Sequence, residues 1–188
     1  PEMTLTDAVR DRSSDVTFTS VFLQDEIKLS DHWIVVAGLR YDNFDIDVVD
    51  TIEVNNGADD GNNGLLTSSD SQVSPRAGVI YKPAESVSLY ASYSKSFLPR
   101  SGDQFLTLSL TSQALDAEEF ENKEIGVKWN VSDSLSVTAA AFEVERENGT
   151  AQDPNNPEAS ILTGTETSGY EIQVVGSLSE KWTINAGY

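Results

Sequence analysis

The sequence predicts an all-β chain, an antiparallel up-and-down transmembrane β-barrel segment of about seven to eight strands cut from a larger barrel. Three observations predict it. Apolar residues alternate at period two with charged, serine or glycine positions, as in a strand with two different solvents on its two faces. Short turns near 30, 84, 132 and 180 alternate with long connections near 60, 108 and 155, which puts every long connection at one end of the strands. The only tryptophans, Trp33, Trp129 and Trp182, each lie within a few residues of a short turn.

The totals narrow the function. Of 188 residues, 38% are apolar, low for a globular core but suited to strands that are wet on one side. With no cysteine there is no disulfide framework or thiolate metal site, and a single histidine, His32, argues against an imidazole zinc site. A net charge of −19 argues against nucleic acid as a partner. No apolar run reaches about 18 residues, which excludes a transmembrane helix, whereas a membrane strand needs only about 9–11. The chain opens at Pro1 in polar sequence, without an initiating methionine or signal peptide, and closes at Tyr188 within an alternating run. It is therefore expected to be a piece of a longer protein.

Residues 1–14 are polar and read as the end of a loop. The first strand, Val16 to Leu29, mixes parities: Val16, Phe18 and Phe22 are even, Val21, Leu23, Ile27 and Leu29 odd. A bulge near Ser20 to Phe22 would let it switch faces. After the tight turn Ser30-Asp31, the second strand runs from His32 to Val48, with Trp33, Val35, Ala37, Leu39 and Tyr41 on one parity and Gly38, Arg40 and Asp42 on the other. Residues 50–71, rich in Asn, Asp, Gly and Ser, read as a long acidic loop. The third strand, Gln72 to Tyr81, sets Val73, Pro75, Ala77, Val79 and Tyr81 against Ser74, Arg76, Gly78 and Ile80. The turn at 82–86 carries proline and small residues.

The fourth strand sets Val87, Leu89, Ala91, Tyr93 and Phe97 against Ser88, Tyr90, Ser92, Ser94 and Ser96. A serine-lined face is a wetted wall, not a core. Residues 98–119 form the second long connection. The fifth strand, about Asn122 to Asn130, opposes Ile125, Val127 and Trp129 to Glu124, Gly126 and Lys128. The sixth, Leu135 to Arg146, has an ambiguous register where Phe142 and Val144 depart from the parity of Leu135, Val137, Ala139 and Ala141. Residues 147–163, with Asn148-Gly149, read as a third long loop. The seventh strand sets Tyr170, Ile172 and Val174 against Glu171, Gln173 and Val175, and the eighth sets Trp182, Ile184, Ala186 and Tyr188 against Thr183, Asn185 and Gly187.

Aromatic placement gives the strands a depth. Trp33, Trp129, Trp182 and Tyr81 mark one membrane interface near the short turns. Tyr41, Tyr93 and Phe97 stand eight or more residues further along, roughly 25 Å at 3.3 Å per residue before tilt, where a second girdle belongs.

Competing readings are weaker. A soluble antiparallel sandwich would show the same alternation, but its strands run about 5–6 residues, and these run about ten or more. Asp31-His32 sits at a turn without a serine partner and reads as solvated. Asp45, Asp47, Asp50, Asp59 and Asp60 match no calcium-loop spacing. There is no glycine-rich phosphate cradle and no nucleophile elbow, so the chain is read as not enzymatic and as carrying no cofactor.

The runs Leu23-Gln24-Asp25-Glu26-Ile27, Gly38-Leu39-Arg40-Tyr41-Asp42, Ser74-Pro75-Arg76-Ala77-Gly78, Tyr90-Ala91-Ser92-Tyr93-Ser94, Glu121-Asn122-Lys123-Glu124-Ile125-Gly126 and Gly169-Tyr170-Glu171 resemble successive strands of TonB-dependent outer-membrane receptors, most of all the ferric-siderophore branch. The resemblance spans nearly the whole chain. It implies a 22-stranded barrel closed by an amino-terminal plug, with energy supplied through the coupling protein TonB. The plug and the coupling motif are expected to be absent from this stretch, so residues 1–188 are read as part of the barrel domain alone.

On this reading the chain is a barrel wall in the bacterial outer membrane, in contact with lipid and lipopolysaccharide, and the partners of the whole receptor are a ferric siderophore and TonB. Iron would be carried inside its chelator rather than bound by the protein. Arg40, Arg76, Ser88, Tyr90, Ser92, Glu124, Lys128 and Glu171 would line the lumen, and Arg100, Phe105, Tyr90, Arg76 and Arg40 are the candidate ligand contacts. Arg100 is favoured because acidic residues outnumber basic ones 31 to 12, leaving few cations to meet an anionic chelate. A passive porin and a soluble secreted adhesion domain are the alternatives.

Overall fold

The structure is a computed structural model that describes residues 11–56, 64–99, 108, 115–153 and 156–188, with backbone only at 56, 152, 153 and 156–160. Its elements are β1 (Arg12–Lys28), β2 (Trp33–Asp50), α1 (Thr51–Asn56), β3 (Leu65–Ala84), β4 (Val87–Leu98), β5 (Glu118–Ser132), β6 (Leu135–Asp153), β7 (Asn156–Ser179) and β8 (Trp182–Gly187). The strands form one eight-stranded sheet in sequence order, β1 to β8, each bonded to its chain neighbour. Antiparallel pairing is direct for β3–β4, β5–β6, β6–β7 and β7–β8. This is the up-and-down topology that alternation and short turns predict.

The alternation sorts into two faces. Odd positions of β1 to β6 and even positions of β7 and β8 carry Leu23, Leu39, Leu89, Ile125, Trp129, Tyr170, Ile172 and Trp182, all exposed. We call this the apolar face. Opposite lies a polar face, on which the Tyr90 hydroxyl reaches Glu124 and the Arg76 guanidinium reaches Gln24.

β1 shows no change of face. Phe18 stacks on Phe44 with ring centroids 5.6 Å apart, Ser20 bonds Asp42, and a Cβ on Gly38 would stand 3.4 Å from the Gln24 side chain. These pairs keep one antiparallel register down to the turn, where the Leu29 amide donates to the Trp33 carbonyl at 2.9 Å. The bulge expected near Ser20 to Phe22 is absent from this register, and Phe22 stays on the parity of Phe18. The ambiguity in β6 resolves in the same way. Its pairing with β7 holds one register from Leu135↔Gly176 to Arg146↔Thr165, so Phe142 and Val144 belong to the polar face beside Glu124 and Asn122.

Two of the three long connections are shorter than the sequence suggests. β3 begins at Leu65, inside the expected acidic loop, and α1 occupies its start. Asp50 caps that helix, its carboxylate accepting from the Ile52 amide at 3.2 Å and the Glu53 amide at 3.4 Å. The expected loop at 147–163 is largely strand: β6 continues to Asp153 and β7 starts at Asn156. Asn148-Gly149 makes a bulge rather than a turn, with Asn148 left-handed at φ 55° and the register shifting between Arg146 and Gly149.

The chain divides into two compact units. The first takes its described residues from the spans Pro1–Ser20, Asp42–Gln72 and Leu98–Glu118. It holds the fully buried side chains Phe44, Ile46, Val48 and Leu108, along with buried Asp42 and Asp50. Arg12 ties this unit together, donating from Nε to Asp50 at 3.1 Å and from Nη1 to the Leu108 carbonyl at 2.8 Å. Burial alone would push the Asp50 carboxyl up, but Arg12 and the amides of Asp11, Glu53 and Ile52 outweigh it and hold it below the usual carboxylate range. The second unit comprises Val21–Tyr41, Val73–Phe97 and Glu119–Tyr188 and contains the long hairpins.

Candidate functional site

The candidate residues that fall within the description lie in the second unit. Register places Arg40, Arg76, Ser88, Tyr90, Ser92, Glu124, Lys128 and Glu171 on one face, as alternation predicts, since Arg76 opposes Ser94, Glu124 opposes Phe142 and Ala140 opposes Glu171. Arg100 and Phe105 lie outside the described residues, as do Asp59 and Asp60.

Glycines on neighbouring strands shape this face. The Tyr90 ring lies across Gly126, where a Cβ would come within 2.5 Å of it, and its hydroxyl then donates to Glu124 Oε1 at 2.6 Å. The Arg76 side chain crosses Gly38, whose Cβ would meet its Cγ at 2.8 Å, and Nη1 donates to Gln24 Oε1 at 3.0 Å. Phe142 lies over Gly169 in the same manner, 2.8 Å from where a Cβ would be. A large side chain thus folds flat onto a glycine in the next strand, and for Tyr90 and Arg76 the polar end is fixed by a hydrogen-bond partner. Sequence reading found the residues but not this device, although each glycine was visible on the polar parity.

Between β2, β3 and β4 the polar face holds a hollow of about 340 Å³ whose lining includes Val36, Arg76, Gly78, Ile80, Tyr90 and Ser92. It brings Arg76 and Tyr90 together. A guanidinium, an aromatic ring and serine hydroxyls on one wall can contact an anionic or aromatic ligand through charge, stacking and hydrogen bonds. No bond-making chemistry follows from the set.

On the opposite face the aromatic candidates keep the predicted parity. Trp33 and Tyr81 pack together with ring centroids 4.6 Å apart beside the first short turn. There His32 Nδ1 donates to the Lys82 carbonyl at 2.6 Å and Asp31 pairs with Lys28 at 2.9 Å, so both turn residues have structural partners. Tyr41, Trp129 and Trp182 are exposed on that face, and Tyr93 and Phe97 share its parity on β4. Further from the short turns the same face becomes charged. Lys123 bridges Glu143 and Glu145 at 2.9 Å each, Lys95 pairs with Glu119, and the Tyr93 hydroxyl donates to Glu121 at 3.1 Å. Among the described residues, no group of three or more acidic or histidine side chains could hold a metal ion. Asp45 is instead bonded to Ser69 at 2.6 Å.

Comparison with known proteins gives a consistent result. The family model described as TonB dependent receptor-like, beta-barrel, matches residues 3–188. The probable TonB-dependent siderophore receptor PiuA of Acinetobacter baumannii is 33% identical over 95% of this chain, and the metal-pseudopaline receptor CntO of Pseudomonas aeruginosa 32% over 93%. In each case the match takes in 24% of the relative, so the chain spans about a quarter of the length of the curated relatives. The crystal structure of the Acinetobacter baumannii siderophore receptor PiuA superposes with a TM-score of 0.80 at 31% identity, over 94% of this chain and 25% of that one. The ferric-catecholate import receptor Fiu of E. coli reaches a TM-score of 0.79 at 21% identity, over 94% and 27%, a likeness of fold.

Proposed function

The chain belongs to the TonB-dependent receptor β-barrel family, an outer-membrane family of receptors, and from that membership we propose that it forms part of the barrel wall of a receptor that imports ferric siderophores. The observation that carries this reading is the division of one sheet into an exposed apolar face and a polar face of fixed side chains. Lipid takes the first and the water-filled lumen the second. The relatives named as siderophore receptors supply the ligand class.

In this reading the chain performs no chemistry on its cargo. Arg40, Arg76 and Tyr90 offer charge and aromatic surface to a chelate inside the lumen, and Arg100 with Phe105 offers the same from the connection between β4 and β5. Iron travels inside the siderophore and is cargo. A plug and a segment that meets TonB would come from other parts of the receptor. Trp33, Trp129, Trp182 and Tyr81 anchor one lipid interface, and Tyr41, Tyr93 and Phe97 the other.

The test is uptake by the full-length receptor in cells lacking other iron receptors, with a panel of iron-loaded siderophores. The expected result is saturable uptake of at least one siderophore that stops when TonB is removed. Unselective passage of small solutes that survives loss of TonB would identify a porin and overturn the proposal.

A further inference from the structure

One charged side chain stands on the apolar face where lipid is expected. Between the levels of Tyr41 and Trp33, the residues of β1 on that face are Val21, Leu23, Asp25 and Ile27, with Leu29 following in the turn, and the four apolar ones are 67, 77, 45 and 65% exposed. Asp25 sits among them. Since Gln24 lies against Gly38 and Leu29 bonds Trp33, Asp25 is level with Ala37, midway between the Trp33 and Tyr41 that mark the two interfaces. Among the described residues, its side chain has no hydrogen-bond or ion-pair partner.

The topology says where a partner can come from. β1 ends the strand order, so one of its edges is bonded to β2 and, among the described residues, the other is open. An open edge has no solvent for its amides and carbonyls within lipid and must be paired. The relatives are about four times longer than this chain, which leaves ample chain outside these eight strands to supply the one that pairs here. A lone carboxylate facing lipid is costly, and charges at membrane depth are retained where they are paired.

We propose that Asp25 is a seam charge: the strand that pairs with the open edge of β1 in the complete receptor presents a lysine or arginine to it on the lipid-facing side. The pair closes the seam and also fixes its register. Sliding the incoming strand by one residue would turn its cation to the lumen and leave Asp25 alone in lipid.

The experiment uses the full-length receptor, refolded into vesicles of phosphatidylethanolamine and phosphatidylglycerol, with the folded fraction read from heat-modifiable gel mobility. Asp25→Leu is expected to lower the folded-to-unfolded ratio about tenfold or more, because it strands a cation in lipid. Asp25→Lys should lower it at least as far, and a single Lys→Glu or Arg→Glu exchange on the abutting strand should restore it. If Asp25 has no partner, Asp25→Leu removes a charge from lipid, and the ratio stays level or rises; that outcome overturns the proposal. So does an Asp25→Lys defect that no exchange on the abutting strand repairs, or one repaired only from elsewhere on the barrel exterior. The readout is assembly rather than uptake, so it stands or falls separately from the siderophore reading.

Discussion

At the scale of single residues, two positions carry consequences that can be measured. Gly126 and Gly78 occupy the same face of adjoining hairpins, yet a methyl group has very different neighbours at each. At Gly126 it would meet the Tyr90 ring at 2.5 Å, whereas at Gly78 the nearest atom is the Ala91 carbonyl oxygen at 3.5 Å, an ordinary contact. Gly126→Ala must therefore lift Tyr90 and break its bond to Glu124, a loss of about 1–3 kcal/mol in barrel stability, while Gly78→Ala should be nearly silent. Urea titration of the full-length receptor in vesicles, following tryptophan fluorescence, compares the two. Asp50 supplies the pH dependence. Its folded carboxyl is held below the ordinary value, so its stabilising contribution is complete above the unfolded pKa of about 3.9 and fades as pH falls through the lower, folded value. Hydrogen exchange at the amides of Ile52 and Glu53 should accordingly become less protected, relative to Thr163 in β7, below that range, and Asp50→Asn should remove the difference.

At the scale of elements, the sheet tests the sidedness of the hairpins. The turn at Glu85-Ser86 is short, whereas Val54 in α1 and Ala151 near the end of β6 belong to the opposite ends of the strands. In whole cells, cysteine at Val54 or Ala151 should react with a membrane-impermeant maleimide and cysteine at Ala84 should not; equal labelling at all three would reverse or abolish the assignment. The same elements show what could be read from sequence. Alternation located β2, β4 and the membrane-level halves of β3, β5, β6 and β7, because there the two faces differ strongly in polarity. It lost the far ends. Beyond Arg146 and before Gln72 both faces are largely polar, so the contrast that defines a strand vanishes, although the backbone pairing persists. Asn148-Gly149 then misled, since a left-handed Asn serves a bulge as well as a turn. Asp50 followed three residues later by Glu53 was a legible helix start that the acidic composition around it concealed. The residues of the polar face were legible by parity. Their partners were not, because Tyr90–Glu124 and Arg76–Gln24 join positions 34 and 52 residues apart.

At the scale of the whole molecule, the sheet is built for a medium other than water. Leu23, Leu39, Leu89, Ile125, Trp129, Ile172 and Trp182 are exposed along one face, and fully burying each such side chain is worth about 1.5–3 kcal/mol. Among the described residues, the large apolar side chains that are fully buried (Phe44, Ile46, Val48 and Leu108) belong to the first unit, so the membrane-level hairpins of the second rely on backbone pairing, on the contacts of their polar face and on whatever covers their apolar face. Among the described residues β1 and β8 each leave one edge open, and the unpaired backbone groups there invite association with other chains. The 188-residue chain expressed by itself is therefore expected to aggregate in plain buffer and to gain protected strand amides when detergent micelles are supplied. Sedimentation and circular dichroism, with and without a maltoside detergent, provide the measurement. A monomer in buffer that melts in one sharp transition would mean that the apolar face is covered from within the chain, and the assignment of that face to lipid would have to be abandoned.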